Sequence, residues 1–340
     1  MARSTVITWS PSVTLVPTRA CFNACDYCSF RRSPQRGELA GDPLGDGLNE
    51  ATARARLAAR PLAREVLLLS GELPPGSSGR PRWFARLRQL SALALAAGRL
   101  PHTNAGPLSL REMAVLARLN PSLGLMLEGL GPAYDVLHRQ APSKALAVRL
   151  QQLEQAGRLG IPFTTGLLLG VGESQAERRD ALEIIALLQG RWGHIQEVIL
   201  QPWRPDGPAA VSLPSALVEE LLTTIAEARR ILPPEVHLQL PPNLWPVERL
   251  ADALEAGIDD LGGIDTGDVI NPAYPQPTPE QLRDRLARHG WRLQPRLCVH
   301  GRWLAWLPLP LRRRAEAMAQ ALGELVSVRP QPDPAENRER

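Results

Sequence analysis

PFTTGLLLGVGESQAERRDALEIIALLQ, residues 162–189, is the stretch on which the fold turns. Its first nine residues form a short apolar run with no polar alternation, the pattern of a strand buried on both faces. Beyond Ser174, apolar residues return at Ala181, Ile184, Ile185 and Leu188, the period of an amphipathic helix. A doubly buried strand running straight into a helix is the repeating unit of a parallel sheet.

The same alternation extends outward in both directions. Strands are predicted at 13–16, 65–70, 100–104, 123–127, 196–201, 236–240 and 259–264, besides 162–170. Helices are predicted at 51–63, 84–98, 108–119, 143–160, 174–189 and 214–232. Eight such strands predict an α/β fold, a (β/α)₈ barrel of the TIM type; a doubly wound open sheet is the alternative. The expected organisation is an N-terminal arm over 1–12, a single barrel domain over 13–310 with a cysteine-bearing loop after strand 1, and a C-terminal helix and disordered tail over 311–340. In such barrels the chemistry sits at the C-terminal ends of the strands.

With 340 residues, 44% of them hydrophobic and 22% charged, the chain can bury a sizeable core. The net charge of +4 is mild, and the densest basic run, Arg312 to Arg314, lacks interleaved aromatics. Nucleic-acid binding is therefore not expected. No run approaches the ~18 apolar residues of a membrane span, and the first residues lack the apolar core of a secretory signal. No membrane association and a cytoplasmic location are the expectation.

The four cysteines are Cys21, Cys25, Cys28 and Cys298. Three of them fall within eight residues, which suits a ligand cluster rather than a disulfide framework. Three thiolates can hold three irons of a [4Fe–4S] cluster and leave the fourth iron open. Structural zinc, the other reading, wants four ligands. No histidine precedes His102 and no further cysteine precedes Cys298.

CFNACDYC (21–28), with an aromatic before the third cysteine, resembles the radical S-adenosylmethionine (SAM) superfamily. The resemblance implies that Cys21, Cys25 and Cys28 ligate the cluster. SAM then chelates the open iron and is split to methionine and a 5′-deoxyadenosyl radical that takes hydrogen from a substrate. It further implies that Tyr27 packs near the adenine. Ser70, Gly71 and Glu72 are similar to the element that receives SAM's ammonium group, and Glu128 stands where relatives place a polar residue near the ribose. Arg149 is similar to an arginine that reaches the SAM carboxylate in biotin synthase and its relatives. Gly166, Gly170 and Glu173 resemble the superfamily's GxIxGxxE element.

The segments LPHTNAGPLS, HRQAPSK, IPFTTGLLLGVGE, HIQEVILQPW, PPNLWP and LGGIDTGDVINP narrow the resemblance further. With the cysteine loop they look like the deazaflavin-forming subunits of 7,8-didemethyl-8-hydroxy-5-deazariboflavin (FO) synthase, over about residues 13–310. The reaction implied is closure of the adduct 5-amino-5-(4-hydroxybenzyl)-6-(D-ribitylimino)-5,6-dihydrouracil to FO with loss of ammonia. The partners implied are the tyrosine-acting subunit that makes the adduct and an electron donor such as ferredoxin or flavodoxin. Strand-end polar residues are the candidates for holding the adduct: His102, Thr103, Asn104, Thr164, Thr165, Gln201 and Asn243. Trp203, Trp245 and Cys298 depart from the family pattern. Another radical SAM reaction on a biotin-synthase-like barrel, or a non-catalytic iron–sulfur protein, are the alternative functions.

Overall fold

The computed structural model describes residues 5–25, 27–34, 48–205, 207 and 210–323. In chain order the elements are β1 (Val6–Leu15), α1 (Glu50–Ala58), β2 (Glu65–Leu69), α2 (Arg80–Ala96), β3 (Leu100–Asn104), α3 (Leu110–Leu116), β4 (Ser122–Gly124), α4 (Pro132–Leu137), α5 (Leu146–Arg158), β5 (Phe163–Leu169), α6 (Gln175–Trp192), β6 (Ile195–Pro202), α7 (Ser215–Ile231), β7 (His237–Gln239), α8 (Leu250–Ala256), β8 (Asp260–Ile264), α9 (Pro279–Ala287), β9 (Arg292–Pro295) and α10 (Leu309–Leu322). Strands β2 to β8 pair in sequence order, β8 pairs with β1, and β1 pairs with β2. Every ladder is parallel, so eight strands close the expected barrel.

The deciding stretch folds as read. All seven residues of β5 are buried. The Ser174 side chain caps α6 in a reciprocal box with Glu177, and Gly193 ends the helix at φ 68°, a conformation open to glycine. Phe163 on the strand joins Leu153, Ala156, Leu182 and Ile185 of the flanking helices in the main core. Each of the larger ones, Phe163, Leu153, Leu182 and Ile185, stabilises the fold by about 1.5–3 kcal/mol on burial.

Strand β1 serves three neighbours, with Val6–Trp9 opposite β9, Thr8–Pro11 opposite β8, and Ser12–Leu15 opposite β2. Residues 6–12 are therefore barrel strand rather than an arm. A register shift between Thr8 and Ser10 lets pairing continue through Pro11, which has no N–H to give. Beyond β9 the chain passes under the N-terminal ends of the strands, where Leu297, Cys298 and Val299 pack with Leu100. Helix α10 begins at Leu309, slightly ahead of the expected boundary, and residues 324–340, where the tail was expected, lie outside the described residues. No described helix is long and apolar enough to cross a membrane.

Candidate active site

The loop after β1 is stitched to the mouth of the barrel by its backbone. Phe22 N–H donates to Glu72 O at 3.0 Å, Ala24 N–H to Gln140 O at 2.8 Å, and Cys21 N–H to Arg32 O at 3.1 Å. Gly71 permits this, because a Cβ there would stand 2.1 Å from Ala20 O. Cys25 is buried, whereas Cys21 and Cys28 are half-buried; Asp26 lies outside the described residues. Burial, with the charges of Cys28, Glu128 and Glu72 added and Lys144 opposing, pushes the Cys25 thiol up to about 12. Metal binding must therefore drive protons off this loop.

Glu72 stands beside the cysteines. Its Oε2 accepts from Asn23 Nδ2 at 2.9 Å and from the Ser143 hydroxyl, and its Oε1 faces Arg149 Nη2 at 3.5 Å. Arg149 is 1% exposed, and its Nη1 donates to Met126 O at 3.4 Å. Its Nε is buried without a hydrogen-bond partner. A buried guanidinium with long contacts and an orphaned N–H is a socket for an anion.

Glu128 ends the β4 side of this wall at φ 75°, the one non-glycine with positive φ among the described residues. Tyr27 donates its hydroxyl to Glu128 Oε2 at 3.0 Å, and Lys144 pairs with the other oxygen. Burial alone would raise the Glu128 pKa, but the charges of Lys144 and Arg149 outweigh it and hold the carboxyl below its ordinary range. Asn23, Ser143 and Lys144 escaped the sequence reading. Their signal was position, since Asn23 sits between the cysteines and the other two lie in HRQAPSK.

Other members of the proposed SAM set hold the scaffold. The Ser70 hydroxyl accepts from Trp83 Nε1 at 3.0 Å and donates to Gly71 O. Both oxygens of Glu173 are taken by the N–H groups of Gly170 and Val171, each at 2.8 Å, and Arg178 Nε adds a 2.7 Å ion pair. Glu173 thus shapes the β5–α6 turn, in which Gly170 adopts φ 86°. Gly166 keeps β5 close to its neighbours, as a Cβ would meet Ile199 O at 2.3 Å and Met126 Sδ at 2.8 Å.

Below this wall a cavity runs down the barrel lumen. His102, Asn104, Thr164, Gln201 and Asn243 line it, joined by Met126, Glu65, Glu197, Gln239, Asp265, Asp268 and Arg296, which the sequence reading had not proposed. Thr103 and Thr165 face outward. Strand alternation sends them to the helix layer, where the Thr103 hydroxyl donates to Asn120 Oδ1 and Thr165 Oγ1 accepts from Leu127 N–H. Trp245 is core, its Nε1 donating to Arg249 O at 2.9 Å.

The cavity floor is charged. Arg296 grips Asp260 through Nε and Nη2 at 2.5 and 2.6 Å, and reaches Glu197 Oε1 at 2.8 Å. Burial holds the carboxyls of Glu197 and Glu65 above their ordinary range against the pull of Arg296. Asp260, with two guanidinium contacts, stays ionised. Glu197, Asp260 and His300 place donor atoms within 4.8 Å of one another, but Arg296 already fills the role of the cation there. Three thiols, a carboxylate and an anion socket on one wall fit a [4Fe–4S] cluster with SAM.

The comparisons agree with this geometry. The sequence model of the Radical SAM superfamily matches residues 15–185. The chain is 50% identical over 320 residues to a 7,8-didemethyl-8-hydroxy-5-deazariboflavin synthase of Synechococcus elongatus, covering 93% of each. It is 49% identical over 327 residues to the enzyme of that name from Gloeobacter violaceus, covering 95% of this chain and 96% of the relative. Among solved structures, the hydrogenase maturase HydG superposes with a TM-score of 0.68 at 16% identity, over 98% of this chain and 81% of its own. Methylornithine synthase superposes with a TM-score of 0.63 at 13% identity, over 85% and 84%. Those two likenesses show the barrel fold alone. Identity near one half along almost the whole length does more, and places the chain in the radical SAM superfamily as a member of the 7,8-didemethyl-8-hydroxy-5-deazariboflavin synthase family.

Proposed function

We propose that this chain closes the hydroxybenzyl–ribityldihydrouracil adduct to FO, releasing ammonia, with SAM consumed to methionine and 5′-deoxyadenosine. The observation that carries the reading is the position of Met126. Its carbonyl accepts from Arg149 on the cofactor wall, and the same residue lines the substrate cavity. Cofactor and substrate therefore meet across one residue, as direct hydrogen transfer between them requires.

Cys21, Cys25 and Cys28 would hold a [4Fe–4S] cluster, which would pass one electron from the donor to SAM and so supply the 5′-deoxyadenosyl radical that takes a hydrogen from the adduct's benzylic carbon. The chain's own residues do the rest. Glu72 takes the ammonium end of SAM and Arg149 its carboxylate, in charge-assisted contacts that fix its direction. Tyr27 and Glu128 bound the nucleoside side, with Lys144 keeping Glu128 ionised. The lumen, lined by apolar patches and strand-end amides, holds the adduct away from water. A tyrosine-acting partner supplies the adduct, and a ferredoxin- or flavodoxin-type donor supplies the electron.

The test is anaerobic reconstitution with iron and sulfide, followed by SAM, dithionite and the adduct. FO fluorescence is expected. Cleavage of SAM without FO would assign the chain to a different radical SAM substrate.

A further inference from the structure

His102 on β3 is 92% buried, at 8% exposure, and its Nδ1 lies 2.7 Å from Ser122 Oγ. The Ser122 hydroxyl lies 2.6 Å from Cys298 O. A carbonyl can only accept, so the serine hydrogen points to Cys298, and Oγ must accept from the imidazole. The proton of His102 is thus on Nδ1 and the lone pair on Nε2. Burial, reinforced by the charge of Arg296, pushes the His102 pKa down to about 4, so the ring stays neutral near pH 7.

Nε2 is aimed across Gly124, where a Cβ would stand only 2.7 Å away. Both residues line the cavity, so the close approach that Gly124 permits sets Nε2 at the edge of the lumen. The two sides of the lumen differ. Leu67, Leu125 and Met126 form an apolar patch beside His102, with Glu65 and Asn104 on the same two strands, whereas Gln201, Gln239 and Asn243 offer amides on the β6–β7 side. Asn243 is held there by its Nδ2, which donates to Asp268 Oδ2 and Tyr274 O. The apolar patch beside His102 suits the face of a flat heterocycle, and the amides of Gln201 and Gln239 suit a polyol chain.

We propose that Ser122, anchored on the Cys298 carbonyl, is a positioning residue that holds His102 in its Nδ1–H tautomer, so that Nε2 accepts the imide N–H of the adduct's pyrimidine ring. The inference rests on the function proposed above and deepens it by assigning the ring edge that the barrel reads. The ribityl hydroxyls then fall to the Gln201–Asn243 side.

The experiment compares the adduct with its imide N-methylated analogue, in the reconstituted enzyme and in His102→Ala. Methylation removes the donor, so wild-type kcat/KM should fall roughly ten- to 100-fold, the range for losing a buried hydrogen bond. In His102→Ala the same methylation should cost less than about threefold, because no acceptor remains. Equal losses in both proteins overturn the assignment. His102→Gln, whose amide oxygen reaches towards the Nε2 position, should restore part of the discrimination. It also keeps the comparison open if the alanine variant does not fold.

The tautomer is read separately by ¹⁵N NMR of histidine-labelled protein. A protonated Nδ1 with a bare Nε2 is expected. In Ser122→Ala the proton should redistribute between the nitrogens while KM for the adduct rises more than kcat falls, and Ser122→Thr should restore both. A proton on Nε2 in the wild type overturns the proposal. No FO from unmethylated adduct would instead overturn the functional reading, which the NMR result does not touch.

Discussion

Arg149 and Glu72 face each other at 3.5 Å at the mouth of the barrel, too far apart for a good ion pair although Arg149 is buried. Buried charges left this loosely paired are costly. A zwitterion lying alongside the pair would satisfy both, its ammonium on Glu72 and its carboxylate on Arg149. Glu72→Gln and Arg149→Met should each weaken SAM binding by roughly ten- to 150-fold, the loss of one charge-assisted contact. Equilibrium binding to the reconstituted protein measures it, and unchanged affinity in both variants would remove them from the SAM site.

The three loop cysteines proposed as cluster ligands are separable from the remaining cysteine by iron content. Anaerobically loaded wild type should hold about four irons, and Cys25→Ala should lose them. Cys298 is buried at the opposite end of the barrel, against Leu100. Cys298→Ser should keep the iron stoichiometry, and a large loss would show a wrong ligand set.

The charged floor makes stability depend on pH. The folded pKa of Glu197 lies above its unfolded value, so the folded protein holds an extra proton between the two. Stability is then full at low pH and falls as pH rises beyond the ordinary carboxylate range, by at most about 1.4 kcal/mol per pH unit. Glu197→Gln, which mimics the protonated acid, should flatten this slope. Glu65 shifts in the same direction and preserves part of it. Denaturant midpoints at about pH 5 and pH 8 test the sign, and a steeper slope in the variant would contradict it.

Gly71 carries the join between β2 and the cysteine loop. With a Cβ only 2.1 Å from Ala20 O, Gly71→Ala must push the loop away from the barrel. Reduced iron retention with largely preserved far-UV circular dichroism is the expected outcome. Normal iron loading would show that the join tolerates the shift.

How much of this was legible in the sequence varies with the range of the interaction. Strand β3 lies where it was predicted because its signal is local. The strand predicted at 123–127 keeps regular pairing only to Gly124. Beyond it, the Thr165 hydroxyl takes the N–H of Leu127 and Glu128 turns to positive φ, contacts that no periodicity encodes. Helices α4 and α8 are six and seven residues long, too short to display a period. At the site, the cysteines, Glu72 and Arg149 stood in recognisable motifs. The Glu197–Arg296 pair spans 99 residues and gave no signal before folding. Thr103 and Thr165 were readable, since a period of two puts each on the opposite face from the cavity-lining neighbours His102 and Thr164.

The central claim is that this chain takes a hydrogen from the benzylic carbon of the adduct. The most direct measurement uses adduct deuterated at that carbon, with the reconstituted enzyme, SAM and dithionite, and mass analysis of the 5′-deoxyadenosine formed. One deuterium in the nucleoside, appearing together with FO, is the expected result. Unlabelled 5′-deoxyadenosine accompanying FO formation would contradict the claim.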